Sequence, residues 1–166
     1  MFDITKYKKS VDQLLSIYRK KQFWESYDLV NELLDQYPCA VDLLVLRSMI
    51  IQLLDKREGR EVPSPDLVKQ DLLIACQLAP GAIEPFIELG HFEYAVMDRP
   101  DEGMKHFITA QQNADNGMKA ALIGRIKCHA DMGEMQQAKE LLAMARKNYA
   151  DDDEIEILYY ELEDEA

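Results

Sequence analysis

Along most of the chain, apolar residues recur three and four positions apart. In "WESYDLVNELLDQYP" the small Ser26 is followed by Val30 and Leu33, and Pro38 closes the stretch. "DLVKQDLLIACQLAPG" repeats the offsets with Val68, Leu72, Ala75 and Pro80. "GMKHFITAQQNAD" repeats them with Gly103, Phe107, Ala110 and Asp115, and "EMQQAKELLAMARKNYA" with Ala138, Leu142, Ala145 and Ala150. Such offsets lie on one face of an α-helix. A following proline, or the Asp115–Asn116 pair, is expected to stop that helix. The same helix is thus written four times, with starts separated by 42, 35 and 35 residues. A period in the mid-thirties predicts stacked helical hairpins.

Each of these helices needs a partner before it. The candidates are "YKKSVDQLLSIYRKKQ", "LLVLRSMIIQLLD", "IEPFIELGHFEYAVM" and "MKAALIGRIKCHADMGE". "CAVDLLVLRSMIIQLL" is the most apolar stretch, broken only by Asp42, Arg47, Ser48 and Gln52, and predicts a helix buried on most sides. Turns are expected at 20–23, 98–101 and 132–134. Pro100 suits a helix start, with Asp101 and Glu102 favoured in its first turn. Gly133 suits a helix end. The stretch "DKREGREVPSPD", 55–66, predicts a mobile loop inserted in the second hairpin, with Ser64 or Asp66 capping the next helix. In the tail, Ile155, Leu158, Tyr159 and Leu162 form one stripe among acids, which predicts a terminal capping helix. The expected architecture is all-α, a single domain over 1–166. Its hairpins fall near 7–38, 40–80, 82–115 and 118–150, and the capping helix spans 152–164.

The repeat resembles the tetratricopeptide repeat family, whose pattern pairs a W-x2-L-G-x2-Y helix with an A-x3-F helix and a closing proline. The third unit is nearest, with Phe86, Leu89 and Gly90, then Gly103, Phe107 and Ala110. Its tyrosine, Tyr94, comes one place late, and the unit is one residue longer than the family's 34. The fourth unit matches through Gly133, Ala138, Leu142 and Ala145, with Gly124 and Ile126 competing for the close-packing slot of its first helix. The first two units match mainly in their second helices and in Pro38 and Pro80. The resemblance covers about residues 7–150 and implies a right-handed α-α superhelix with a concave face. A helical-hairpin array of another kind fits the same periodicity.

Composition narrows the chemistry. The chain has 166 residues and a formal charge of −12, which disfavours nucleic acid and anionic membranes as partners. The charge is lopsided: residues 1–21 carry six Lys/Arg against Asp3 and Asp12, whereas residues 151–166 carry nine acids and no base. Cys39, Cys76 and Cys128 form no CxxC and suit a reducing cytosol. The N-terminal stretch lacks the apolar core of a signal peptide, and no apolar run reaches the ~18–20 residues of a membrane span. His91, His106 and His129 are scattered, and the adjacent Cys128–His129 pair diverges by about 100° on a helix. There is no GxxxxGK[ST] and no GxGxxG. No cofactor or metal is expected, the thiols are expected to be buried and inert, and the chain reads as non-enzymatic.

The resemblance implies a protein-binding module that holds a peptide or extended segment in the concave groove, lined mainly by the first helix of each hairpin. Matched position by position, the groove set is Lys8, Leu15 and Tyr18; Val45, Met49 and Gln52; Ile87, His91 and Tyr94; and Lys127, subject to the register of the fourth unit. For Val45 and Ile87, core packing is an equal alternative; Tyr18, His91 and Tyr94 read as groove. Members that grip an acidic C-terminus do so with a Lys/Asn/Arg cluster. Here Leu15, Glu84 and Glu88 stand in those places, so carboxylate capture meets repulsion. In length, acidity and repeat number the chain also resembles the bacterial type III secretion chaperones for translocators. The alternative is an assembly subunit in which the basic N-terminal helix meets the acidic C-terminal helix of a neighbouring copy.

Overall fold

The computed structural model describes residues 3–57 and 59–164, so position 58 of the expected loop lies outside them. Among the described residues the fold is all-α. In chain order the helices are α1 (Ile4–Arg19), α2 (Phe23–Gln36), α3 (Val41–Gln52), α4 (Pro65–Leu78), α5 (Glu84–His91), α6 (Pro100–Asp131), α7 (Met135–Asn148) and α8 (Asp153–Asp164). A π-helical turn, Phe92–Val96, continues α5. Two compact units divide the chain, Met1–Gln111 and Gln112–Ala166, where one domain was expected.

In the first unit each of α2, α3, α4 and α5 packs against the helix before it, and α3 also touches α5. The core is built from Leu14 of α1, Val30, Leu33 and Leu34 of α2, and a nearly unbroken run on α3. Leu43, Leu44, Val45, Leu46, Ile50 and Ile51 of α3 are all buried, as its apolar run predicts. Each such side chain removed from water contributes about 1.5–3 kcal/mol. In the second unit Leu122, Ile123 and Ile126 of α6 meet Ala138, Leu142 and Ala145 of α7, and Ile155, Leu158 and Leu162 of α8 close the cluster. The expected terminal helix is therefore present and buries its predicted stripe, with Tyr159 half-buried beside it. The other expected stretches are helical too.

The small–bulky–small positions behave as one class. All twelve are buried except Phe107, which is half-buried. Proline acts as expected, since α2 ends two residues before Pro38 and α4 two residues before Pro80. Pro100 opens α6. Gly133, at φ 76°, ends α6 in the left-handed region, where its amide donates to Ala130 O and that of Glu134 to His129 O. Asp152 caps α8 by accepting from Ile155 N at 3.3 Å.

The π-helical turn lies at Phe92–Val96, where Met97 N donates to Phe92 O across five residues. A π turn accommodates one extra residue in a helix. Glu93 anchors it: Lys69 Nζ lies 2.7 Å and Arg99 Nη1 3.5 Å from its buried carboxylate, and Arg99 N donates to Glu93 O at 2.8 Å.

Three expectations need correction. The Asp115–Asn116 pair does not stop a helix, since α6 runs from Pro100 to Asp131. Asp and Asn inside a helix cost under about 1 kcal/mol each, and Gly about 1, whereas only proline removes a bond and clashes. With good helix formers on both sides, that penalty does not break the ladder. Neither Ser64 nor Asp66 caps α4: Ser64 holds the N-cap position without a side-chain bond, and Asp66 lies inside the helix, after Pro65. Residues 55, 57 and 60 of the expected loop are also held against α2. Trp24 Nε1 donates to Asp55 O at 3.2 Å, Arg60 stacks over the Trp24 ring at 4.1 Å and donates to Asp28 at 3.0 Å, and Arg57 lies 3.7 Å from Glu25.

Candidate functional site

The first helices of the first unit carry the most distinctive surface. Val11 and Leu15 of α1 and Leu43, Val45, Leu46 and Met49 of α3 line an open cavity of about 240 Å³, together with Asp42 and Glu84. The spacing explains the convergence. Val11 and Leu15 are four apart, as are Val45 and Met49, so each pair shares one helical face. A second cavity, of about 480 Å³, adjoins it through Val11 and Asp42 and is bounded by Ile4, Tyr7, Lys8 and Asp12.

Asp42 joins the two cavities. Both its carboxylate oxygens accept from the Tyr7 hydroxyl, at 2.6 and 2.8 Å. Burial, then the Asp42 bond and charge, push the Tyr7 hydroxyl far above the ordinary tyrosine range. Tyr7 also meets Tyr37 edge to face at 4.9 Å, which fixes its ring. On α5, burial pushes the Glu88 carboxyl above its usual range, and the neighbouring Glu84 charge adds to that push while His91 opposes it.

The ten residues expected in the groove are therefore dispersed. Leu15, Val45 and Met49 come together on one cavity and Lys8 lines its neighbour. Val45 is a core residue at 3% exposure and also lines the cavity. Tyr18 is half-buried with its ring 5.9 Å from that of Phe23. Gln52 is exposed and bonds back to Ser48 O at 3.1 Å, and Ile87 is half-buried. His91 is exposed and meets the Phe107 ring edge-on at 5.0 Å. Tyr94 is exposed in the π-helical turn, and Lys127 is exposed on the part of α6 in the second unit.

Sequence reasoning missed the Tyr7–Asp42 bond. The signal was present, because the two residues stand 35 positions apart, one repeat period, on successive first helices. It also missed Arg47, which donates to both oxygens of buried Asp71 at 2.6 and 2.7 Å and to Asn31 Oδ1 at 2.8 Å. Of the thiols, only Cys76 is buried, and burial raises its pKa to about 11; Cys39 and Cys128 are exposed, contrary to expectation. Each lies where turn or helix geometry turns the side chain outward.

Among the described residues, no three His, Cys, Asp or Glu side chains converge closely enough to hold a metal ion. No helix among them is long and apolar enough to cross a membrane. Comparison with models of known protein families finds no match, and neither does comparison with curated proteins.

Proposed function

We propose that the chain is a tetratricopeptide-like binding module, an adaptor or chaperone that holds an extended polypeptide segment along α1, α3 and α5. The observation that carries this reading is the mostly apolar cavity between α1 and α3, lined by Leu15, Val45 and Met49 and by two carboxylates, Asp42 and Glu84. An apolar floor with a few polar groups at the margin is the chemistry of a segment-binding groove. Buried small and bulky side chains at repeat spacing pack the helices behind the cavity, which supports a preformed site. The three unpaired cysteines suit work in a reducing compartment such as the cytosol.

The test is site-specific photo-crosslinking. A photoreactive residue at Leu15 or Met49 should trap a bound polypeptide, whereas one at exposed Glu32 on α2 should not. Capture of native partners should fall with Met49→Glu and with Tyr94→Ala. Unchanged capture by folded variants would remove the groove.

A second reading, head-to-tail self-association, is favoured by the outer face of α8, where Ile157 and Tyr160 are 59% and 63% exposed among acids. Exposed Ile4 and the lysines of α1 form the complementary surface. Light scattering should then show assemblies at low salt that dissolve at high salt.

A further inference from the structure

We infer that the segment taken up along α1, α3 and α5 is cationic as well as apolar, with lysine or arginine alternating with leucine-like side chains. The inference rests on the groove reading and adds the charge of the partner. The carboxylates of Asp12, Asp42 and Glu84 line the two joined cavities, and Lys8 is the one cation among the described residues that do. Glu88 lies one turn beyond Glu84 on the same face of α5, half-buried.

Several other acids of the unit already have a close cation. Glu25, Asp28, Asp71, Glu93 and Glu102 each sit within ion-pair distance of a lysine or arginine. Among the described residues, no lysine or arginine lies within ion-pair distance of Asp12, Asp42, Glu84 or Glu88. The Tyr7 hydroxyl binds Asp42 without neutralising it. Glu84 and Glu88 act on each other as like charges, and the basic group acting on Glu88 is His91. An arriving ammonium or guanidinium relieves that repulsion at two carboxylates at once. Alternation of apolar and basic side chains suits an extended strand, whose successive residues point to opposite sides. The apolar side chains then meet the apolar lining, and the long, flexible stems of the basic ones reach back to the carboxylates beside it. An acidic segment meets the same carboxylates as repulsion.

Fluorescence anisotropy with three labelled peptides, alternating leucine with lysine, serine or glutamate, tests this. The leucine–lysine peptide should bind tightest and the leucine–glutamate peptide weakest, with the preference shrinking as salt rises. Glu84→Gln/Glu88→Gln should weaken the leucine–lysine peptide about fivefold, about 1 kcal/mol for the two charges together, and leave the leucine–serine peptide unchanged. Glu32→Gln/Glu61→Gln makes the same change in net charge on α2 and the α3–α4 loop, and should have less than about a twofold effect. Equal affinity for the lysine and serine peptides, or equal weakening by the two double variants, overturns the inference while the groove reading stands. The groove reading itself falls if Leu15→Ser/Met49→Ser, folded by circular dichroism, binds every peptide as the parent does. Binding of none of the three sinks both.

Discussion

A methyl group placed on Gly103 would lie 2.8 Å from the carbonyl oxygen of Gly90. The start of α6 therefore passes α5 backbone against backbone, and the same methyl would stand 3.1 Å from Tyr94 Cβ. A methyl on Gly90 would press on the Phe107 ring at 2.7 Å. The light and heavy positions of the repeat are thus two halves of one contact, in which Phe107 fills the space that Gly90 leaves.

Gly103→Ala should destabilise the protein by about 1–3 kcal/mol despite the better helix propensity of alanine, because a backbone oxygen cannot swing aside. Gly124→Ala, in the same helix with nothing near its added methyl, should stabilise by about 0.5–1 kcal/mol. Urea midpoints for the two variants should move in opposite directions. Gly90→Ala should be partly rescued by Phe107→Leu, which a double-mutant cycle would read as favourable coupling.

Arg47→Met should cost about 3 kcal/mol or more. It leaves the Asp71 carboxylate, 2% exposed, without its two charge-assisted bonds. Arg47→Met/Asp71→Leu should recover most of that loss, because an apolar pair needs no desolvated charge. Chemical denaturation of both single variants and the double variant checks this. A double variant as unstable as the singles would contradict it.

Arg60→Ala should release the 55–64 loop and leave the helices folded. Trp24 loses the guanidinium over its ring, so its emission should shift to the red, and amides of the loop should exchange faster. Acid should act alike. The Arg60 bond and charge hold the Asp28 carboxyl below its ordinary value of 3.8. Docking is therefore complete above pH 3.8 and is lost as pH falls through the lower folded value. Trp24 fluorescence across an acid titration should report that step in the parent and not in Arg60→Ala.

Glu88→Gln should stabilise the protein at neutral pH. Burial raises the folded-state pKa of Glu88 above its ordinary value of 4.5, so the folded state holds the proton more tightly than the unfolded state. The resulting stability is present below pH 4.5 and is lost as pH rises through the raised value. Thermal melts between pH 4 and pH 7 should show the parent losing ground to Glu88→Gln over that interval. Parallel pH profiles would count against it.

The helices and their buried faces were legible in the sequence because they are set locally. Offsets of four and seven residues on a helix point one way whatever lies opposite, so Ser26, Val30 and Leu33, and their counterparts at 68, 103 and 138, share one inward face, with only Phe107 half-exposed among them. Pro100 and Gly133 mark their turns for equally local reasons, a fixed φ in one case and a left-handed φ in the other. What only the tertiary structure decided are outcomes between distant residues. Whether Asp115 and Asn116 interrupt α6 turns on a penalty of under about 1 kcal/mol apiece, which context outweighs. Whether Arg47 is solvated or clasps Asp71 turns on which helix arrives beside it, 24 residues away. The cavity that Asp42 and Glu84 help to line belongs to three helices at once. Periodicity assigns a residue to a face of its own helix; desolvation and pairing between helices decide what that face meets.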